Sequence, residues 1–254
     1  MTDAINLSAD LGEGFGRYSM ADDESMLDIV SSANIACGFH AGDPRIMRDT
    51  VTACIERGVD IGAHPGLRDL VGFGRRELAY TSDDVYTDVL YQVSALDGMV
   101  RAQGGRMRHV TPHGALGKMT RQSEKLAEAF VQAISDLDRS LRIVSREGYL
   151  TTAAESAGLP VGYSGFADRA YNDDGELVPR QEPGAVITDE QAVVSRVLRM
   201  VREGVVSSQT GKDLRISCNS IVVHGDTPGS VALAMSIAVG LRENGVSIQS
   251  LAHA

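Results

Sequence analysis

Five acidic or imidazole side chains recur at one kind of position in the sequence, just after a short apolar segment: Asp10, His40, His64, His113 and His224. Carboxylate and imidazole groups together can transfer protons near neutral pH, or bind a metal ion that activates water. The sequence contains no motif such as H-E-x-x-H, so spacing does not decide between these chemistries. We predict that these five residues are catalytic. The sequence does not decide whether a divalent metal ion is also bound.

A second set of polar residues lies near these positions and is predicted to bind substrate: Glu13, Asp43, Arg75, Arg169, Tyr171 and Asp226. Arginine side chains in loops can hold a carboxylate or a phosphate, and Arg76 offers a further cation. The segments HAGDP at residues 40–44 and HGDTP at residues 224–228 resemble each other. In both, an aspartate precedes the first turn of a predicted helix, where the helix dipole favours negative charge.

The elements that must position these residues alternate along the chain. Apolar segments typical of strands begin near residues 5, 35, 59, 108, 141, 161 and 220, and helical periodicity follows them, as over residues 43–57, 82–104, 123–137 and 189–203. About seven such units predict parallel strands with right-handed crossovers. We therefore expect an α/β fold in which residues 1–254 form one TIM-like, seven-stranded (β/α) barrel.

In such a barrel the carboxyl ends of the strands carry the active site. The five candidate catalytic residues should consequently converge, together with Asp43, on one cavity. Two polar segments, residues 68–79 and 166–187, interrupt the rhythm and are predicted to be binding loops over that cavity. Ser82 is predicted to cap the helix that follows the first loop, and Asp43 with Pro44 to start the helix that ends at Gly58.

Composition excludes several classes of protein. The formal net charge of −10 leaves no basic surface for nucleic acid or for an anionic membrane, and no segment approaches the length of a membrane span. The N-terminus lacks the features of a signal peptide, so we expect a cytoplasmic protein. Cys37, Cys54 and Cys218 have neither disulfide nor zinc-site spacing and are predicted to be buried thiols. The composition is compatible with a homo-oligomer.

Standard nucleotide-binding motifs are missing from the sequence. The glycines at positions 12, 14 and 16 do not match the G-x-G-x-x-G dinucleotide fingerprint. The pair at residues 211–212 is not part of a Walker A loop. If ATP is used, this chain does not display a standard site for it.

Seven segments resemble the LamB/YcsF family, in order and nearly end to end. They are NLSADLGEG at residues 6–14, SANIACGFHAGDP at 32–44, GAHP at 62–65, GFGRR at 72–76, PHGAL at 112–116, FADRAY at 166–171 and VHGDTPG at 223–229. The chain departs from the family pattern at Ser8, where asparagine is common, and at Gly117 and Lys118, where Tyr-Asn is common.

The resemblance implies an activity, namely ATP-dependent opening of the lactam ring of 5-oxo-L-proline (pyroglutamate) to L-glutamate. It further implies that this hydrolase works with 5-oxoprolinase subunits B and C, which complete the ATP-using complex. It also implies a barrel related to the glycoside hydrolase and polysaccharide deacetylase group. In that chemistry Asp10 or His40 would act as base on water, His64, His113 or His224 as acid or oxyanion donor, and Arg169 would hold the substrate's anionic group.

Two other functions fit the same residues. One is a stand-alone, metal-dependent deacetylase or amidohydrolase that uses Asp10 with two of the histidines. The other is a non-catalytic subunit that binds the lactam and presents it to partners. Activity without ATP or partner subunits would favour the first, and catalysis that survives every substitution at the strand ends would favour the second.

Overall fold

The computed structural model describes residues 4–251, which form a barrel of parallel strands with helices around it. The strands are β1 (Ala4–Leu11), β2 (Ser32–Ala36), β3 (Asp60–His64), β4 (Met107–Val110), β5 (Arg142–Ser145), β6 (Val161–Phe166), β7 (Val205–Ser207), β8 (Asp213–Arg215), β9 (Ser220–Val223) and β10 (Ser247–Ile248). The helices are α1 (Asp23–Leu27), α2 (Pro44–Arg57), α3 (Ser82–Ala102), α4 (Gly114–Gln122), α5 (Glu124–Leu137), α6 (Tyr149–Ser156), α7 (Glu190–Glu203) and α8 (Ser230–Glu243).

Seven of the strands close the barrel in the order β1-β2-β3-β4-β5-β6-β9, and β9 pairs back onto β1. Every pairing in this circle is parallel, as the alternation of strands and helices predicted. The expected seven-stranded, TIM-like (β/α) barrel is therefore confirmed. The short strand β10 adds to the start of β1, and β7 with β8 forms a separate antiparallel pair.

The barrel interior is polar, whereas the outer face of its strands is apolar. Alternate residues of β1, from Ile5 to Leu11, are fully buried apolar side chains of the core between strands and helices. The intervening Asn6 points the other way: its Nδ2 donates to Ser32 Oγ at 2.6 Å, and its Oδ1 accepts from Ser220 Oγ at 2.7 Å. Hydrogen bonds across the interior thus satisfy the buried amide of Asn6.

Local sequence signals set the ends of α2 as predicted. Asp43 Oδ1 accepts from the backbone N–H groups of Arg45 and Ile46, and Pro44 occupies the first turn. Gly58 ends the helix with φ +67°, a left-handed conformation that costs glycine little. Helix α2 is the next element after β2, so this start fixes where the chain turns back from the carboxyl end of β2.

Some elements differ from the expectation. The cap of α3 is Thr81, whose hydroxyl accepts from the Asp84 N–H group while the Asp84 carboxylate accepts from the Thr81 N–H group, so the assignment to Ser82 was wrong. Helix α4 was not predicted, because Gly114 and Gly117 weaken its helical signal. Strands β7, β8 and β10 have only two or three residues, too few to show a period.

The two predicted loops lie at the carboxyl ends of the strands. Residues 68–79 contain neither helix nor strand, and residues 167–188 contain only isolated bridges. Both contribute side chains to the cavity described below. Within residues 4–251, no helix combines the length and the apolar character that a membrane crossing requires.

Candidate active site

The carboxyl ends of the barrel strands surround a cavity of about 540 Å³. Four of the predicted catalytic residues line it: Asp10, His64, His113 and His224. They come from the ends of β1, β3, β4 and β9, so the predicted convergence is confirmed for these four. Arg75 and Arg169, from the two long loops, also line the cavity.

Strand register puts Asp10 and His224 at the same level of the barrel. Ala9 of β1 pairs with Val223 of β9, and Asp10 and His224 are the residues that follow them. On its other side, Asp10 Oδ1 accepts a hydrogen bond from Asn34 Nδ2 at 2.9 Å. Asp10 is therefore a carboxylate held by β2, on the strand adjacent to the one that His224 follows.

Asn34 is itself fixed by His109, which lies inside the barrel. The Oδ1 atom of Asn34 accepts from His109 Nε2 at 2.8 Å. The His109 ring occupies space that a side chain at position 62 would fill, since a Cβ on Gly62 would lie 2.1 Å from His109 Nε2. Burial lowers the pKa of His109 to about 3, so this histidine is a neutral structural donor at neutral pH.

His64 and His113 contact each other at the base of the cavity. His113 Nδ1 lies 2.9 Å from His64 Nε2. The outer nitrogen of each ring donates to a backbone carbonyl: His64 Nδ1 to Thr111 O at 2.6 Å and His113 Nε2 to Phe73 O at 2.8 Å. His64 Nε2 is also 3.5 Å from Asp10 Oδ1, which links the pair to the β1 carboxylate.

His40 and Glu13 lie behind this pair rather than on the cavity wall. The His40 ring stacks on His113 with centroids 3.8 Å apart, and a Cβ on Gly74, which has φ +62°, would lie 2.6 Å from the His40 Cβ. His40 Nε2 is 3.3 Å from Glu13 Oε1, and the same oxygen is 3.7 Å from His113 Nδ1. Glu13, predicted as a substrate ligand, thus joins the histidines.

Burial dominates the electrostatics of this cluster. It lowers the pKa of His40 and of His113 well below the usual histidine value, and neighbouring imidazoles add to the effect. It raises the pKa of Glu13 well above its usual range, with Asp10 and Asp226 adding to the increase. Glu13, His40, His64 and His113 each offer one ligand atom, and these atoms all lie within 4.8 Å of one another. These four residues could hold a metal ion.

His224 forms a pair with Asp168, which the sequence analysis had not selected. His224 Nδ1 lies 2.9 Å and 3.0 Å from the two carboxylate oxygens of Asp168, and the Phe166 ring stacks on the imidazole. Burial alone would raise the pKa of Asp168, but the attraction and hydrogen bond of His224 outweigh it and lower the pKa. The ring nitrogen that Asp168 does not engage is Nε2.

Asp226 holds two arginines at the cavity instead of standing alone as a substrate ligand. Its Oδ2 accepts from Arg75 at 2.5 Å and its Oδ1 from Arg180 at 3.2 Å. Burial tends to raise the pKa of Asp226, but the two guanidinium groups lower it. Arg75 and Arg180 both line the cavity, as do Lys118 and Glu77, which form an ion pair with each other.

Arg169 reaches the cavity while it also holds its own loop. Its Nε donates to Ala185 O at 3.2 Å and one Nη to Val178 O at 2.6 Å. Burial lowers the pKa of Arg169 to about 10. The expected additional anion contact, Arg76, is instead paired with Asp69 outside the cavity.

Two predicted substrate ligands lie elsewhere. Asp43 does not line the cavity, because its oxygens accept three backbone N–H groups, two in α2 and that of Gly16. Tyr171 is 1% exposed and belongs to the core, where its hydroxyl accepts from the Phe166 N–H group. Both assignments were wrong. Asp43 stabilises the start of α2 and Tyr171 belongs to the core, and neither side chain lines the cavity.

Three residues at the site were missed in the sequence analysis: Asn34, Asp168 and Arg180. Asp168 stands two residues after the end of β6, the same kind of position as the predicted histidines, so that signal was available. Arg180 meets Asp226 only through a long loop, which no local pattern reveals. Cys37 is a buried thiol, as predicted, and burial raises its pKa to about 12.

Comparisons with known proteins identify relatives of this chain. The LamB/YcsF family profile matches residues 5–254. The 5-oxoprolinase A subunit of Bacillus subtilis (strain 168) is 44% identical over 250 residues, which cover 98% of this chain and 97% of that protein. The crystal structure of a lactam utilization protein from Thermus thermophilus superposes with a TM-score of 0.91 at 38% identity, covering 98% of this chain and 100% of that one.

A more distant structure shares the fold alone. A putative cellobiose-phosphate cleavage protein from Enterococcus faecalis V583 superposes with a TM-score of 0.57 at 14% identity and covers 98% of both chains. The barrel is therefore found beyond the relatives with lactam-related names. From the profile match and the full-length similarity, the chain belongs to the LamB/YcsF family.

Proposed function

We propose that this chain is the A subunit of a 5-oxoprolinase, which hydrolyses the lactam ring of 5-oxo-L-proline to L-glutamate with ATP as the energy source. One observation carries the proposal: the chain is similar over almost its whole length to a protein named as the A subunit of 5-oxoprolinase. The lactam utilization protein that shares its fold supports the same substrate class. The name of that relative describes one subunit of a larger enzyme, which supports the existence of partner subunits. We take these partners to be subunits B and C.

The cavity suits a small cyclic amide that carries a carboxylate. Its volume of about 540 Å³ lies within the range for small-molecule sites. Arg75 and Arg180 share one carboxylate, Asp226, so the three side chains together keep one positive charge at the wall. A substrate carboxylate or a phosphate group would be attracted to that charge.

The chemistry requires a base for water and an acid for the ring nitrogen. In this proposal Asp10 accepts a proton from the attacking water while Asn34 holds its Oδ1. His224, oriented through Nδ1 by Asp168, protonates the nitrogen as the carbon–nitrogen bond breaks. The register of neighbouring strands supports this division, because it puts the two residues at one level of the barrel.

ATP enters this proposal through the complex. An amide carbonyl is a poor electrophile, and transfer of a phosphoryl group from ATP to its oxygen, with release of ADP, would make attack by water feasible. Cleavage of the carbon–nitrogen bond then leaves an acyl phosphate, and a second water releases the phosphate to give glutamate. The sequence lacks a Walker A motif, so we assign nucleotide binding to the assembled subunits. The three free cysteines, all in the described residues, suit the reducing cytoplasm in which we place the protein.

Reconstitution with subunits B and C tests the proposal by ATP-dependent release of glutamate from 5-oxoproline. We expect Asp10→Asn and His224→Ala each to lower the rate by about 10²- to 10⁴-fold, the usual contribution of a general acid or base. Asp43→Asn is the matched control and should keep the rate, since Asp43 caps a helix outside the cavity. Full activity in both site variants would contradict the assigned roles and would favour a subunit that only binds the lactam.

The cluster of Glu13 and three histidines favours a second candidate, a stand-alone metal-dependent amidohydrolase or deacetylase. That enzyme would hydrolyse its amide without ATP and without subunits B and C. The isolated chain, assayed with and without a chelator, separates the two functions.

A further inference from the structure

The tautomers of His64 and His113 are fixed by their surroundings. A backbone carbonyl can only accept a hydrogen bond, so His64 must carry a proton on Nδ1, facing Thr111 O, and His113 must carry one on Nε2, facing Phe73 O. In a neutral ring the other nitrogen then has no proton. His64 Nε2 and His113 Nδ1 therefore present lone pairs to each other at 2.9 Å.

Further atoms able to bind a metal ion face the same point. Glu13 Oε1 lies 3.7 Å from His113 Nδ1, and Asp10 Oδ1 lies 3.5 Å from His64 Nε2. His40 Nε2 completes the group at 3.3 Å from Glu13 Oε1. All of these residues are buried, so little water reaches the facing lone pairs of His64 and His113. Two lone pairs in such close contact are costly unless a cation lies between them.

The spacing fits a metal ion. Four ligand atoms about 2.1 Å from a tetrahedral Zn²⁺ are about 3.4 Å apart. Three distances within the cluster, 2.9, 3.3 and 3.7 Å, scatter around that value, and all four ligand atoms of Glu13, His40, His64 and His113 lie within 4.8 Å of one another. The carbonyl contacts of His64 and His113 orient these rings in the way that outer contacts orient metal-binding histidines.

We propose that Glu13, His40, His64 and His113 bind one divalent transition-metal ion of the Zn²⁺ class. Three imidazole nitrogens and one carboxylate oxygen are donors that select Zn²⁺, Fe²⁺ or Ni²⁺ over Mg²⁺ or Ca²⁺. Because His64 and His113 also line the cavity, the ion would lie at its base, beside Asp10. This site does not depend on the proposed lactam hydrolysis.

Metal content of the isolated, tag-free chain tests the site without ATP, substrate or partner subunits. The chain is stripped with a chelator, incubated with Zn²⁺, freed of excess metal and analysed by mass spectrometry of the elements. We expect one Zn²⁺ per chain. His64→Ala, His113→Ala and the isosteric Glu13→Gln should each lower the Zn²⁺ affinity by more than about 100-fold, the upper range for loss of an outer contact.

His224→Ala is the matched control, since His224 is a cavity histidine outside the cluster and should leave the metal content unchanged. Where an alanine variant does not fold, Glu13→Gln and the rise in the wild-type Tm on adding Zn²⁺ decide the question. With Co²⁺ in place of Zn²⁺, intense visible bands are expected from four-coordinate imidazole and carboxylate ligation.

Three results would overturn the site: less than stoichiometric metal, equal metal in wild type and cluster variants, or equal loss in His224→Ala. A proton alone would then bridge the histidines. If one Zn²⁺ binds but the reconstituted complex does not open 5-oxoproline, the proposed function fails and the metal site stands. The opposite result removes the metal site and keeps the function.

Discussion

Asp168 determines how His224 is presented to the cavity. Its two oxygens both lie within 3.0 Å of His224 Nδ1, and the Phe166 ring covers one face of the imidazole. A histidine held in this way keeps its Nδ1 proton toward the carboxylate, so Nε2 is the nitrogen left for proton transfer. Asp168 is thus a positioning residue for the proposed acid.

The substitution Asp168→Asn removes the charge that fixes this arrangement. We expect a fall of about 10- to 100-fold in kcat/KM of the reconstituted complex, by analogy with the loss of a carboxylate that orients a metal-binding histidine. The pH–rate profile should change as well, because the variant lacks the ionised carboxylate that contacts His224 Nδ1. Asp173→Asn in the same loop is the control, since Asp173 bonds Ser208 and Thr210 away from the cavity. An unchanged rate and profile in Asp168→Asn would contradict the role.

At the residue scale, the sequence predicted which side chains approach the cavity better than it predicted their partners. Asp10, His64, His113 and His224 lie at or just beyond strand ends, and the parallel register alone brings strand ends together. Asp226 was recognised as a charged group, but its clamp on Arg75 and Arg180 depends on where long loops fold. The folded path of such loops is set by tertiary contacts rather than by local pattern.

The two similar segments at residues 40–44 and 224–228 have different structural roles. The segments around Asp43 and Asp226 look alike in sequence, yet Asp43 caps a helix and Asp226 binds arginines. The helix after Asp226 begins only at Ser230, so that aspartate is not at its cap. A difference of a few residues in the loop length therefore separates a structural carboxylate from a cavity one.

The cap of α2 should contribute measurably to stability. Asp43→Ala is expected to lower the free energy of unfolding by about 0.5–2 kcal/mol, the usual cost of losing such a cap. Hydrogen bonds from Ile46 and Gly16 N–H groups lower the Asp43 pKa, so the contribution is present above the ordinary carboxyl pKa and is lost as the pH falls through the lowered one. Denaturant unfolding at neutral and acidic pH measures both effects.

Asp49→Ala provides the comparison for this experiment. Asp49 lies exposed within α2 and pairs only with its neighbour Arg48 among the described contacts. Its loss should change the free energy of unfolding by less than about 0.5 kcal/mol. Equal costs for both variants, or a cost for Asp43→Ala that persists at low pH, would contradict the capping role.

The elements that sequence periodicity missed share a physical reason. Helix α4 starts at Gly114, which has φ +46° and lies two residues after Pro112. Glycine and proline favour turns rather than helices. Packing of its buried Ala115, Leu116 and Thr120 overrides that preference. For β7 and β8, backbone pairing with each other stabilises segments that have no apolar period of their own.

Across the whole molecule, the barrel interior contains buried polar groups that remain neutral on folding. His109 is the clearest case, with a pKa that burial lowers to about 3. In the unfolded chain the same ring takes up a proton below its ordinary value near 6.5. Between these two pH values the unfolded state binds more protons, so stability falls as the pH falls.

This dependence can be measured through His109→Gln. Glutamine can still donate to Asn34 but does not titrate, so the free energy of unfolding should fall less steeply between about pH 6.5 and pH 3 than in wild type. The largest difference in slope for one proton is about 1.4 kcal/mol per pH unit. Chemical denaturation at several pH values gives the slopes, and parallel curves for the two proteins would show that His109 is not the group responsible.

The pairing of β1 with β9 closes the barrel, and it joins distant parts of the chain. The contact between Ser8 and Ser220 spans 212 residues. Contacts so far apart in sequence form slowly, because a long loop must be closed before they stabilise anything. Until that step, β1 and β9 each expose an unpaired edge that can pair with another chain. Asp10 and His224 lie at those two edges. The proposed base and acid therefore come together only when β1 pairs with β9, and the same pairing covers both exposed edges.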